Sequence, residues 1–210
     1  MTQVIIGKEQ IWGIIANLDE PFRTMVFLDA FTGLRVSELL ALKWGDIDFD
    51  KLELRVSRAI VYGVVGKCKS KASKKTVPLD PTLAGALSQW RMTTAYNGME
   101  DWVFASEATK GKKPLTPDNL RRRHLQPAAL RAGVSGRIGF HTFRRTLASL
   151  FIANGEDIKI VQESLRHANS RITLDLYAQA TTAGKRAAQS KLVRMVLPRN
   201  SQPPTQALDG

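Results

Sequence analysis

A chain of 210 residues is long enough to bury one full core and too short for two large domains. Its 31 lysines and arginines stand against 19 acidic residues, and the resulting formal net charge of +12 points to a polyanionic partner. No apolar run approaches the roughly 18 residues of a membrane span, so a globular protein with no membrane partner is expected.

Apolar residues recur at helical spacing from Lys8 to Leu18 (Ile11, Ile14, Ile15, Leu18) and again from Pro21 to Thr32 (Phe22, Met25, Val26, Leu28). Two packed helices are predicted, with Pro21 in a first turn. Gly33 breaks the second helix. RVSELLAL then reads as a short helix with Leu39, Leu40 and Leu42 inward and Arg35 at its start, on a rim rather than in a core. From Lys51 to Leu79 the pattern turns to β-type alternation. LELRVSRAIVYGVV, a basic turn KCKSKASKK and TVPL predict a small antiparallel sheet of two or three strands, bounded by Asp80 and Pro81.

Thr82 to Ala95 reads as helix, WVFAS as a short extended piece, and Thr116 to Ala132 as a helix that Pro127 interrupts or splits. Gly133, Gly136 and Gly139 mark a loop. HTFRRTLASLFIANG is a helix ending at Gly155, followed by the helical EDIKIVQESLRH, a short segment from Arg171 to Tyr177, and a helix from Ala183 to Val196. The stretch from Pro198 to Gly210 reads as a disordered tail, and no internal repeat is visible.

One cysteine, Cys68, excludes an internal disulfide framework, and no signal-peptide pattern opens the chain, so the cytoplasm, in association with the nucleoid, is the expected compartment. His124, His141 and His167 lie far apart, without Cys/His or HExxH spacing. No metal and no other cofactor is expected.

Several residues have chemistry suited to phosphodiesters. His141 and Arg144, three apart, share a face on the first turns of a helix, where free backbone N–H groups also favour anions. Taken singly, each candidate has an ordinary structural use: Arg35 can pair with Glu38, His167 can sit at a helix end, and Tyr177 can pack beside Leu174 and Leu176. Their joint order and spacing is what carries the functional reading.

The chain resembles the catalytic domain of the tyrosine recombinases, the phage-integrase family. Thr32 to Asp48, with its Gly-Leu-Arg and an acid three positions after the arginine, matches the first family box. His141, Arg144, Leu165, His167 and Tyr177 match the second, and KCKSKASKKTVPL matches the lysine-bearing β-turn between them. The match runs over about residues 7 to 180 in the right order. The fold this implies is mainly α with a small antiparallel β-sheet, an α+β catalytic domain over residues 1–197. Family members normally carry an amino-terminal helical DNA-binding domain, and the chain is expected to lack it.

The resemblance and the charge logic together assign roles. Tyr177 is the expected nucleophile, and the surrounding cations favour its phenolate. Arg35 and Arg144 are suited to holding the non-bridging phosphoryl oxygens, His167 to donating a further hydrogen bond, and His141 to shuttling a proton. Glu38 is expected to position the arginine or the histidine. The family lysine, general acid for the departing 5′-oxygen, is assigned to Lys69, at the end of the first strand of a hairpin, with Lys71 as the alternative. Lys67, Lys74 and Lys75 are expected to touch DNA phosphates. Arg145 and Arg166 depart from the commonest family wording, which has histidine and glycine there; both are expected to add cation toward DNA, and Arg166 would be strained if its backbone needs a positive φ.

The expected function is site-specific recombination of double-stranded DNA through a 3′-phosphotyrosyl intermediate, without metal or nucleotide cofactor, by several protomers in a synaptic assembly expected to be tetrameric. A type IB topoisomerase would use similar chemistry. A helix-turn-helix DNA-binding module would explain the charge but not the ordered catalytic set, and a metal-dependent nuclease would need clustered carboxylates where the acids here are scattered.

Overall fold

The helical stripes at the amino end form α1 (Lys8–Ala16) and α2 (Phe22–Thr32) in a computed structural model that describes residues 5–67 and 76–166. Ile11, Ile14, Ile15 and Leu18 are buried with Val26 and Ala30 of α2 in one apolar cluster, which the carboxyl half completes with Leu125, Ile138 and Phe143. Pro21 stands just before α2 as its N-cap rather than within its first turn. Gly33 ends α2 in the left-handed region, φ 58°, where its N–H reaches the Asp29 carbonyl at 3.2 Å. Arg35 then caps the four-residue α3 (Val36–Leu39). Leu39, Leu40 and Leu42 all point inward, as their spacing predicts, into a second cluster around Trp44 and Phe104. Each such leucine contributes roughly 1.5–3 kcal/mol through burial.

The β region differs from the expected long strand. After a 3-10 turn (Trp44–Asp46), β1 (Ile47–Asp48), β2 (Glu53–Arg55) and β5 (Thr76–Pro78) make a three-stranded antiparallel sheet in the order β1-β2-β5, with Leu54 opposite both Ile47 and Val77. The intervening β3 (Arg58–Val61) and β4 (Val64–Lys67) form a separate hairpin. Its two-residue turn is Tyr62–Gly63, both at positive φ, the conformation that matches the twist of the flanking strands. The tip of this hairpin is thus Tyr62–Gly63 and not the lysine-rich segment, which follows Lys67 in sequence. Lys67 ends β4 opposite Arg58. Lys69, Lys71, Lys74 and Lys75 lie outside the described residues.

Helix α4 (Pro81–Thr93) begins as its sequence dictates: Asp80 accepts from the Thr82 N–H at 2.8 Å, and Pro81 occupies the first turn, where its missing donor costs nothing. Pro127 does split the next helix. It has no N–H to offer the Arg123 carbonyl, and the chain passes from α5 (Pro117–Leu120) through a wider π turn (Arg121–Leu125) into α6 (Gln126–Arg131). The WVFAS piece bridges Lys43 through Trp102 and Pro114 through Ala105.

Two further helices, α7 (Phe140–Ala153) and α8 (Ile158–Ser164), close the described chain; α7 packs on α2 and α8 packs on α7. The architecture is mainly helical with small antiparallel sheets, as expected. Among the described residues no helix is long and apolar enough to cross a membrane. The expected segments from Arg171 to Tyr177 and from Ala183 to Val196, and the tail, lie outside the described residues.

Candidate active site

Four charged residues from three distant stretches meet where the end of α2, the start of α3, the first turns of α7 and the end of α8 converge. Arg35 stands at the N-cap of α3 because the left-handed Gly33 turns the chain sharply out of α2. Glu38, three residues on, reaches back: one carboxylate oxygen accepts the Arg35 N–H at 2.9 Å and the other accepts Arg35 Nη1 at 2.9 Å. The first of these oxygens also meets Arg166 Nη2 at 2.5 Å. Glu38 is 3% exposed and Arg166 1%, whereas the Arg35 side chain is 36% exposed and faces the surface.

Arg144 fastens the elements together. Only 8% exposed, it donates Nη1 to the Gly33 carbonyl and Nη2 to the Leu165 carbonyl, so one guanidinium ties α7 to the ends of α2 and α8. Glycine is required at position 33 twice over. Its φ disfavours a side chain, and a Cβ there would sit 2.9 Å from Leu165 Cδ2 and 3.1 Å from Leu147 Cδ2. Both leucines are buried with Ala148 and Val161 in a small apolar cluster beneath the junction.

These placements bear unevenly on the expected roles. Arg35, Glu38 and Arg144 are brought together across more than a hundred residues of sequence. His141 and Arg145 lie on exposed positions of the first turns of α7, on the helix that carries Arg144. Arg166 differs from its expected outward, DNA-facing role: its φ is 50° and its side chain is turned inward to Glu38, with its carbonyl accepting Arg35 Nη2 at 3.5 Å. The buried ion pair explains why an arginine occupies a left-handed position that glycine would adopt without strain. His167 and Tyr177 lie outside the described residues.

Electrostatics follow from crowding. Burial pushes the Arg144 pKa down, the neighbouring charges of Arg35 and Arg166 add to this, and Glu38 and Asp29 oppose it, leaving a value of about 10. Arg144 therefore stays cationic at neutral pH. Burial works to raise the Glu38 pKa, but the Arg166 charge, the Arg35 N–H and the Arg35 guanidinium outweigh it and hold the carboxyl below its ordinary value. A cation cluster with one shared carboxylate is an anion-binding arrangement. Among the described residues no group of three or more His, Cys, Asp or Glu side chains is placed to hold a metal ion.

One residue of the cluster carries no motif signal. Asp29 lies on the inward face of α2, fully buried, and neither of its carboxylate oxygens has a hydrogen-bond partner. Burial raises its pKa well above the ordinary range, with the Arg144 charge pulling the other way. The available hint was an acid within the apolar run MVFLDAF.

Comparison with known proteins finds relatives of this chain among proteins named as recombinases and integrases. A tyrosine recombinase XerC-like protein of Caldanaerobacter subterraneus is 33% identical over 189 residues, spanning 80% of this chain and 48% of the relative. Among solved structures, the Tn1549 transposon integrase in complex with transposon right end DNA superposes with a TM-score of 0.75 at 21% identity, over 92% of this chain and 67% of that one. XerH site-specific recombinase bound to a palindromic difH substrate, a post-cleavage complex, gives 0.67 at 20% identity, over 90% and 53%. The chain spans about half the length of the curated relatives it matches. The profile of the phage integrase family matches residues 6–183, and the chain belongs to that family.

Proposed function

We propose that this chain is the catalytic part of a site-specific recombinase that cleaves and rejoins double-stranded DNA, with Tyr177 as the nucleophile. The observation that carries the reading is the convergence of Arg35 and Arg144 on one junction, with Glu38 fixing the first and two backbone carbonyls holding the second. Paired planar guanidiniums suit the two non-bridging oxygens of a phosphodiester. Arg35, at the surface, meets the phosphate first. Arg144 holds carbonyls through both Nη atoms in the DNA-free chain, and exchanges one of them for a phosphoryl oxygen when DNA docks.

His141, at the exposed end of the same helix, is placed to exchange protons at the rim, and His167 follows directly on the Leu165–Arg166 junction in sequence. Attack by the Tyr177 oxygen on phosphorus, with its phenol proton passing to His141, forms a 3′-phosphotyrosine and breaks the bond to the 5′-oxygen, which takes a proton from Lys69 or Lys71 and leaves as a hydroxyl. A partner strand's 5′-hydroxyl then reverses the step, and the phosphoester retained on tyrosine makes external energy unnecessary. The cations supply the charge stabilisation that a metal gives elsewhere, so the reaction is metal-independent in this reading. Strand exchange needs protomers on paired sites, a tetramer on DNA, and the basic chain acts at the nucleoid.

The test uses a pool of nicked duplexes of randomised sequence, in which the short cleaved strand diffuses away and traps the adduct. The wild-type chain should give a denaturation-resistant protein–DNA adduct that survives chelation of divalent metals, and Tyr177→Phe should give none. An adduct that persists in Tyr177→Phe sinks the nucleophile assignment. Relaxation of plasmids lacking any selected site would move the reading to a type IB topoisomerase.

A further inference from the structure

Asp29 is a buried carboxyl that the cleavage chemistry does not use. It is 0% exposed, and both oxygens lack hydrogen-bond partners, a costly arrangement for a carboxylate. It lies one helical turn before Gly33, on the same face of α2, and Gly33 presents the carbonyl that Arg144 holds. Helices α2 and α7 pack together over this region. The carboxyl is thus buried on the face of α2 that leads, one turn on, to the carbonyl held by Arg144.

We propose that Asp29 is a positioning residue for Arg144, a buried carboxyl whose protonation sets how much of that cation's charge faces a phosphodiester. The inference rests on the reading of Arg144 as a phosphate-binding residue. Three guanidiniums and two carboxyls make up the cluster, giving a net charge of +2 when Asp29 is neutral and +1 when it is ionised. Neutral Asp29 leaves Arg144 to the phosphate; ionised Asp29 draws the guanidinium back into the protein and competes with it. A phosphate held by Arg144 reciprocally favours the protonated carboxyl, so DNA binding takes up a proton at Asp29.

Other charged groups around α2 do not take over this role. The charge that acts on Asp29 is Arg144 of α7; Arg35 and Glu38 at the start of α3 and Arg166 beyond α8 act on Arg144, and Arg35 and Arg166 are bound to Glu38. On α1, Lys8 and Glu9 are exposed and paired with each other, and Arg91 of α4 is engaged with the Asn97 carbonyl and the Trp44 ring.

The experiment measures binding of a short mixed-sequence duplex by fluorescence anisotropy, from mildly acidic to mildly basic pH, for the wild-type chain, Asp29→Asn and Arg144→Gln. Asp29→Asn should match wild type at the acid end and bind about tenfold more tightly at the basic end, the size of one charge–charge interaction across the cluster. A wild-type to Asp29→Asn affinity ratio that stays constant with pH overturns the inference. Carboxyl-carbon NMR of the wild-type chain, with the Asp29 resonance assigned through its backbone, does not depend on any variant folding. The Asp29 titration midpoint should rise on adding the duplex, and an unmoved midpoint overturns the inference as well. Failure of the underlying reading looks different: Arg144→Gln would then bind the duplex and form the Tyr177 adduct as wild type does, whatever Asp29 shows.

Discussion

Replacing Glu38 by Gln should cost this domain about 3–5 kcal/mol of stability while barely changing its shape. Glu38 is buried and serves three donors: the Arg35 N–H, the Arg35 guanidinium and the Arg166 guanidinium. Glutamine is isosteric and its amide oxygen still accepts the Arg35 N–H, so the cap on α3 survives. The loss is electrostatic. Arg166, with its side chain 1% exposed, is deprived of this carboxylate, and breaking a buried ion pair by removing one partner costs about 3–5 kcal/mol. The Arg35 arm adds less than about 1 kcal/mol, because that side chain is more than a third exposed and screened by solvent. For a chain of this length each kcal/mol moves the midpoint by roughly 2–4 °C, so Tm should fall by about 10 °C. Circular dichroism melts and urea unfolding measure it. The double variant Glu38→Gln with Arg166→Gly should recover much of the loss, since it removes the buried charge that has lost this carboxylate and relaxes the φ of 50°. A Glu38→Gln protein within about 1 kcal/mol of wild type, or single and double variants equally unstable, would refute the buried-pair account.

Gly33→Ala should destabilise by about 2 kcal/mol or more, from the left-handed φ and from pressure on Leu147 and Leu165, and should weaken duplex binding by displacing the carbonyl that holds Arg144. Urea midpoints and anisotropy test the two effects, and a Gly33→Ala chain of unchanged stability would contradict the packing described. Acid should separate the two buried carboxyls. Glu38, with a folded pKa below its unfolded value of roughly 4.3, contributes stability that is present above that pH and lost as pH falls through the folded value. Asp29 has the opposite sign: its contribution is full below the unfolded value of roughly 3.9 and lost as pH rises through the raised folded value. Tm measured against pH should therefore show Glu38→Gln converging on wild type in acid and Asp29→Asn gaining on wild type as pH rises.

Elements whose signal is local were legible in the sequence. The stripes of α1 and α2, the stop at Gly33, the Asp80–Pro81 start of α4 and the split at Pro127 each depend on residues within a few positions of one another, because capping, φ preference and apolar periodicity act over one or two turns. The β region was read less well. Alternation runs through LELRVSRAIVYGVV without a break, and period two cannot say where a strand leaves one partner for another. Tyr62–Gly63 is a two-residue turn only because the strands on either side pair with each other and not with β5.

By itself the sequence determined the cast of the site: a surface arginine after a Gly-Leu turn, a helix opening with His141 and Arg144, and the order in which they occur. Only tertiary structure decided that Arg166 turns inward while Arg35 stays at the rim. Both arginines donate to Glu38, and Arg166, expected to face DNA, is buried in a structural ion pair, whereas Arg35 is more than a third exposed. Asp29 makes the same point for acids. Its neighbours along the chain are apolar, and its electrostatic coupling to Arg144 arises from helix packing across more than a hundred residues, because charge acts through space and is strongest where water has been excluded.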